Sequence, residues 1–327
     1  MEKSTLNFLN SLSCNKLNSK KDKNKYEALV LSGGGIKGFS QLGSLKYYEE
    51  IGLFDITHIK EYAGTSVGTI ICLLCNCGYT ANEIFTKIYN SNIFQSKELI
   101  HKQKNMFSLP SIMEMYEDFG LIDIFSLFDI VQNLVKDKFD GKVPTLSKLY
   151  EKTGKIITFA TVNVSSSKIE YINYKICPKM SCTSASMLSC NIPLIFTKKM
   201  YKDNLYCDGG LLDGFPIFQI SRNLKTLGII TIGEDFDYNS GEELVFPKYI
   251  AKLISMPINK MVLQKRELAK LILNPQLFTC ITIKVKGVFI LELFLNEEKK
   301  MSLFLEGYNT TKLQDSEKPI FVNGWNY

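Results

Sequence analysis

The sequence predicts an α/β domain built on a parallel sheet, and three observations carry that prediction. Apolar runs of strand length recur along the chain, at 27–32, 57–63, 155–164, 226–233 and 278–285, and alternate with longer helical patterns. Two of these runs pass directly into glycine turns that open helical segments, the junction from which βα units are made. The length of 327 residues allows one large α/β domain or two small ones, and a 45% apolar composition allows a substantial core.

The chain begins with a Lys/Asn/Ser-rich stretch, in which Lys3, Lys16, Lys20, Lys21, Lys23 and Lys25 face only Glu2 and Asp22. Residues 1–26 therefore read as a disordered basic tail. The sharper reading of the same lysines is a weak contact with anionic lipid. The net charge of +6 is otherwise modest, and no nucleic-acid partner is expected. No apolar run reaches the ~18 residues of a membrane span; the longest are Val67–Cys75 and Val288–Leu295. The N-terminus lacks the apolar region and cleavage site of a signal peptide. A cytoplasmic location follows as the expectation, with at most peripheral contact with membranes. Nine cysteines, an odd number without a secretory signal, read as reduced thiols. Cys72, Cys75 and Cys77 mimic a metal-site spacing but lie on an apolar helix without a second ligand pair, so they read as core.

Glu27–Ser32 is a buried strand running into Gly33-Gly34-Gly35-Ile36-Lys37-Gly38, after which Leu42, Leu45 and Ile51 mark one face of a helix. Amide groups in such a turn, next to a helix N-terminus, favour an anion. The Gly33-x-Gly35-x-x-Gly38 spacing also fits a dinucleotide fingerprint, with Asp55 near the required distance. Asp55, however, precedes the second strand instead of ending it. That strand, Thr57–Ala63, leads into Gly64-Thr65-Ser66-Val67-Gly68 and the apolar segment Thr69–Leu74. Strand, Gly-x-Ser-x-Gly and helix form a nucleophile elbow, which makes Ser66 the candidate nucleophile. The same pentapeptide also fits an ordinary turn in which Ser66 caps the helix.

Thr80–Lys104 and Asp123–Lys138 are helical in pattern, with Leu109-Pro110 as an interruption, and form an insertion that overhangs the site. Lys155–Val164 is strongly β and Lys168–Tyr174 alternates beside it, extending the parallel sheet. Ser184–Pro193 is a short helix of small residues ended by a proline turn. Tyr201–Cys207 leads to Asp208-Gly209-Gly210, a carboxylate on a glycine turn, and on to Leu211-Leu212-Asp213-Gly214-Phe215-Pro216. Thr226–Gly233 and Phe278–Val285 are further strands, Leu244–Leu273 is a long helix punctuated by Pro257, and Glu297–Leu313 is a closing helix. No linker divides 27–313, and 314–327 reads as a C-terminal tail.

The histidine inventory narrows the chemistry. Only His58 and His101 exist; His58 starts the strand before the elbow, roughly 25 Å of extended chain from Ser66, and His101 sits between lysines in the insertion. Nothing after His101 can complete a Ser-acid-His order. The remaining base is a carboxylate acting directly on the serine, and Asp208 is placed for it, provided that burial raises its basicity.

The ordered set Gly33–Gly38, Gly64–Gly68 and Asp208-Gly209-Gly210 resembles the patatin-like phospholipases, lipid acyl hydrolases that use a Ser-Asp dyad. Ser184-Ala185-Ser186 with Pro193 and Phe196, and Leu211–Pro216, add to the resemblance, which spans about residues 27–233. It implies a three-layer α/β/α sandwich with a mostly parallel central sheet. Ser66 becomes the nucleophile, Asp208 the proton acceptor, and Gly33, Gly34, Gly35, Ile36, Lys37 and Gly38 the oxyanion hole, with Gly64, Gly68, Gly209 and Gly210 supporting the two turns. No metal or other cofactor is implied, calcium included. The expected activity is a phospholipase A-type serine hydrolase acting on lipid or a membrane surface; the alternatives are a non-catalytic lipid-binding scaffold, a small-ester hydrolase and a peptidase. Gly214 departs from the asparagine that many members carry, which is expected to loosen the turn behind Asp208. Beyond Gly233 the resemblance implies only completion of the fold.

Overall fold

The computed structural model describes residues 25–91, 100–102, 105–233, 246–286, 288 and 295–317. The lysines at positions 3–23, and the lipid contact expected of them, lie outside these residues, as does most of the Val288–Leu295 run.

Strand β1 (Ala28–Leu31) leads through a 3₁₀ turn (Gly35–Lys37) into α1 (Gly38–Glu50), and β2 (Glu61–Thr65) leads into α2 (Val67–Asn76). Helix α3 (Ala81–Tyr89) follows, opened by a reciprocal cap between Thr80 and Glu83. Next come α4 (Leu109–Asp118), β3 (Gly120–Ile122), α5 (Phe125–Lys138), α6 (Leu146–Thr153), β4 (Ile156–Asn163) and β5 (Lys168–Ile172). Helix α7 (Cys182–Ser189), β6 (Leu194–Phe196), β7 (Lys199–Tyr201) and β8 (Asn204–Asp208) bring the chain to the Asp208 turn. The remainder is β9 (Thr226–Gly233), α8 (Phe246–Ile272), β10 (Phe278–Val285) and α9 (Glu297–Ser316).

Among the described residues, eight strands form the central sheet in the order β10-β9-β1-β2-β4-β8-β7, with β5 also paired to β4; β3 and β6 pair separately. The pairs from β10 through β4 are parallel, so the sheet is mostly parallel, as expected. Strand β1 shows why its sequence is apolar throughout. Leu29 and Leu31 pack into the larger core with Leu42, Leu45 and Phe304, whereas Ala28 and Val30 face Phe215, Val262 and Ala269 on the other side.

Several expectations shift. Lys168–Tyr174 does not extend the parallel sheet: β5 returns antiparallel to β4, and β8 is antiparallel to β4 as well. The four residues between β4 and β5 are too few for a parallel crossover. Leu109-Pro110 starts a helix instead of interrupting one, because Ser108 caps α4 and proline is accommodated in a first turn that needs no amide donor. The strand expected from Thr57 begins at Glu61, since Asp55 accepts the Thr57 N–H and hydroxyl and folds the preceding residues into a turn. Pro257 lies within α8, which continues past it. At the edges of the expected tails, Tyr26 is buried edge-on to Tyr48, and Gln314 hydrogen-bonds both backbone groups of Thr282. Among the described residues, no helix is long and apolar enough to cross a membrane.

Candidate active site

Ser66 is the single residue between β2 and α2, with φ 53° and ψ −131°. A non-glycine residue there is strained, by roughly 1–3 kcal/mol, and persists only where its surroundings fix it. The sequence supplies that fixing. A Cβ on Gly64 would stand 2.7 Å from the Gly68 carbonyl carbon, and one on Gly68 would stand 2.6 Å from the Leu31 carbonyl oxygen, so the crossing backbones require glycine at both positions. The Ser66 N–H donates to Ser189 Oγ at 3.0 Å, and Ser189 Oγ in turn donates to the Ala160 carbonyl. Thr69 Oγ1 donates to the Ser66 carbonyl at 2.7 Å and meets Ser186 Oγ at the same distance. The Ser66 side chain makes no capping hydrogen bond to α2, which removes the ordinary cap reading and leaves the hydroxyl for other work.

Asp208 ends β8 and lies opposite Thr161 on β4, while on the other side of β4 Thr65 lies opposite Ala160. Ser66 and Asp208 thus emerge at the same level of the sheet, on strands flanking β4, about 10 Å apart in backbone terms. Their side chains lie near enough for the Ser66 hydroxyl to act on the Asp208 carboxyl. The Asp208 N–H donates to the Asn191 carbonyl at 2.9 Å, and its Oδ1 accepts the Gly210 N–H at 2.7 Å. Oδ2 is buried without a full hydrogen-bond partner among the described residues. Burial pushes the Asp208 carboxyl up to about 6, against the lowering influence of the adjacent Ser66 hydroxyl and the Gly210 amide. A buried carboxylate with a spare acceptor beside a serine hydroxyl has the basicity that its unperturbed form lacks.

The glycine loop adjoins the same serine: a Cβ on Gly33 would lie 3.4 Å from Ser66 Cβ. Only part of the loop can serve an anion. The Gly33 N–H donates to the Gly214 carbonyl, the Lys37 N–H to the Gly34 carbonyl, and the Gly38 N–H to Gly35 and Ile36 carbonyls. Among the hydrogen bonds of the described residues, the N–H groups of Gly34, Gly35 and Ile36 have no acceptor. Of the six residues expected to form an oxyanion hole, these three are the ones whose N–H groups have no acceptor among those hydrogen bonds. Lys37 is buried.

Ser66 and the loop open onto an apolar cavity of about 140 Å³, whose walls include Phe39, Ile70, Phe128, Val131, Ile192 and Phe196. Helix α5, from the expected overhanging insertion, supplies one wall. The histidines stay away from this centre: His58 sits in the turn before β2 near Asp55 and Thr57, and His101 meets Asn105. Asp55 is engaged by Lys25 and Thr57, not by a strand end, which disposes of the dinucleotide rival. Cys72, Cys75 and Cys77 are buried free thiols, and burial pushes each thiol up.

Sequence reasoning missed the support of the Asp208 turn. Asp213, buried five residues on, takes the Tyr171 hydroxyl at 2.6 Å and an ion pair with Lys265 of α8 on Oδ2, and the Phe215 N–H on Oδ1. Its carbonyl accepts from Thr65 Oγ1 at 2.8 Å, joining the aspartate turn to the serine elbow. Gly214 does not loosen this turn. A Cβ there would stand 2.5 Å from Val262 of α8, so glycine admits the helix that brings Lys265.

Comparison with known proteins bears on the family and the fold. The chain is 30% identical over 197 residues to a protein described as "Probable lipid hydrolase 463L" of Invertebrate iridescent virus 6, a match covering 59% of this chain and 62% of that protein. It is 30% identical over 202 residues to the uncharacterized protein R571 of Acanthamoeba polyphaga mimivirus, covering 62% and 64% respectively. The match thus spans less than two thirds of either relative's length. Among solved structures, VipD from Legionella pneumophila superposes with a TM-score of 0.52 at 17% identity, over 89% of this chain and 67% of that one, which speaks to the fold. The sequence profile of the family described as "Patatin-like phospholipase" matches residues 29–220. The chain belongs to the patatin-like phospholipase family.

Proposed function

We propose that this protein is a serine lipid acyl hydrolase of phospholipase A type, working through a Ser66–Asp208 dyad. The observation that carries the reading is a strained, uncapped Ser66 on the wall of an apolar cavity, with the Gly35 and Ile36 amides on the same wall and a buried Asp208 carboxylate beside the serine. In the proposed reaction, Asp208 accepts the hydroxyl proton as Ser66 Oγ attacks the ester carbonyl. The charge that develops on the carbonyl oxygen is met by the Gly34, Gly35 and Ile36 amides, beside the positive end of α1. The acyl chain occupies the cavity. Collapse expels the lysolipid alcohol, which takes the proton from Asp208, and water activated by Asp208 then hydrolyses the acyl-Ser66 ester and regenerates the site.

The test joins a covalent probe to product release. The intact chain should be labelled by a fluorophosphonate and should release fatty acid from phospholipid vesicles, and Ser66→Ala should lose both while keeping its circular dichroism. A folded chain that is never labelled in the presence of lipid would point to a binding scaffold. Labelling accompanied by hydrolysis of short esters alone would point to a small-ester hydrolase.

A further inference from the structure

Helix α4 carries its apolar residues on the wrong side for a soluble helix. Leu109, Ile112, Met113 and Tyr116, spaced i, i+3, i+4 and i+7, form one stripe, and all four are exposed, Leu109 at 73% and Tyr116 at 86%. No residue of α4 is buried. The acidic residues Glu114, Glu117 and Asp118 lie off this stripe, and Glu114 is paired with Lys102 at 2.8 Å. Beyond the helix the surface continues with Phe119 and Phe125, both exposed, and a lysine stands over each ring: Lys198 at 5.1 Å from Phe119 and Lys199 at 4.0 Å from Phe125.

We propose that this face is the surface by which the protein docks on a phospholipid bilayer, with α4 lying in the plane of the interface and its stripe turned into the acyl region. The proposal rests on the lipid-hydrolase reading and deepens it. Three observations favour a bilayer as the occupant. An apolar stripe with charges kept to the other side of the helix is the pattern of an interfacial helix. Exposed aromatic rings suit the headgroup boundary, and of the lysines over them Lys198, which donates to the Glu117 carbonyl, keeps a positive charge there, while Lys199 is paired with Asp123 at 2.9 Å. The face also adjoins the helix that walls the cavity: the exposed Phe125 opens α5, whose Leu127, Phe128 and Val131 line it.

The test is made in the Ser66→Ala chain, so that binding is read without turnover. This chain should co-sediment with vesicles of dioleoylphosphatidylcholine, with or without dioleoylphosphatidylserine. Ile112→Asp with Met113→Asp should weaken that partition by about tenfold or more, and Leu109→Ser with Tyr116→Ser, a milder pair, should weaken it less. With Ser66 intact, the same variants should retain fluorophosphonate labelling and hydrolysis of a monomeric butyrate ester while losing vesicle hydrolysis. Undiminished vesicle binding by both pairs overturns the proposal. So does sedimentation analysis showing that the stripe is covered by a second copy whose association the substitutions abolish. Loss of labelling in the unsubstituted chain refutes the hydrolase reading and leaves the vesicle-binding arm to be judged separately.

Discussion

Asp208 sets a cost that can be measured apart from catalysis. Burial holds its carboxyl at about 6, against an ordinary value of 3.8. Roughly 2 units at ~1.4 kcal/mol each make the ionised form about 3 kcal/mol less favourable in the fold than in the unfolded chain. The sign follows from proton counting. Well below the ordinary value both states are protonated and no charge is buried. Between that value and about 6 the folded chain keeps a proton that the unfolded chain has released. Above about 6 the fold holds a buried carboxylate, and stability from this group is lost.

Asp208→Asn should therefore stabilise the protein in urea unfolding at about pH 8, by up to ~3 kcal/mol, and that advantage should vanish near pH 4. The same substitution should lower kcat/KM by ~10²–10⁴, because the amide cannot accept the Ser66 proton. In the unsubstituted chain, kcat/KM on a soluble ester should be level above about pH 7 and fall about tenfold per unit below pH 6. Two results would refute the reasoning: activity that stays flat through the acid range, or an Asn variant destabilised equally at both pH values. The first would deny Asp208 its role as base, and the second would deny that its charge is held at a cost.

Three further outcomes are expected. Lys265→Met leaves Asp213 buried with its cationic partner removed and should cost about 2–4 kcal/mol in urea unfolding, the lower part of the range reflecting the partial exposure of the lysine; adding Asp213→Asn should recover part of the loss. Ser189→Ala takes the acceptor from the Ser66 N–H and should reduce kcat by about tenfold with little change in KM and with labelling retained. His58→Gln combined with His101→Gln should leave kcat/KM within about twofold, and a large loss would restore a histidine to the mechanism.

The parts of the site that were legible in sequence are those whose geometry is local. A strand, a glycine turn and a helix occupy consecutive residues, so Gly33–Gly38 and Gly64–Gly68 announce their shapes within a few positions. Asp208 stands out in the sequence because glycines follow it directly. What escaped depends on residues far apart in the chain. Nothing near Gly33 says that its amide is spent on the Gly214 carbonyl, so all six residues of the loop looked available. Strand direction escaped for a related reason: β4 and β5 alternate alike whichever way they pair, and only their short separation argues for a hairpin. The α4 stripe is hard to see in the sequence because Pro110 looks like a break, although a proline in the first turn of a capped helix breaks nothing.

The segment after Gly233 shows how far the site reaches beyond its motifs. Ser66 holds a strained backbone and Asp208 a desolvated charge, so both turns need restraint from elsewhere. That restraint converges on Asp213, whose carbonyl holds Thr65 beside the serine and whose carboxylate is held by Tyr171 and Lys265. Lys265 belongs to α8, outside the matched family segment of residues 29–220, and it reaches Asp213 because Gly214 lets Val262 approach. Helix α8 therefore does more than cover one face of the sheet. It supplies the counter-charge for the residue whose carbonyl ties the aspartate turn to the serine elbow, which is why a substitution at Lys265 is expected to be felt at a centre that its side chain does not enter.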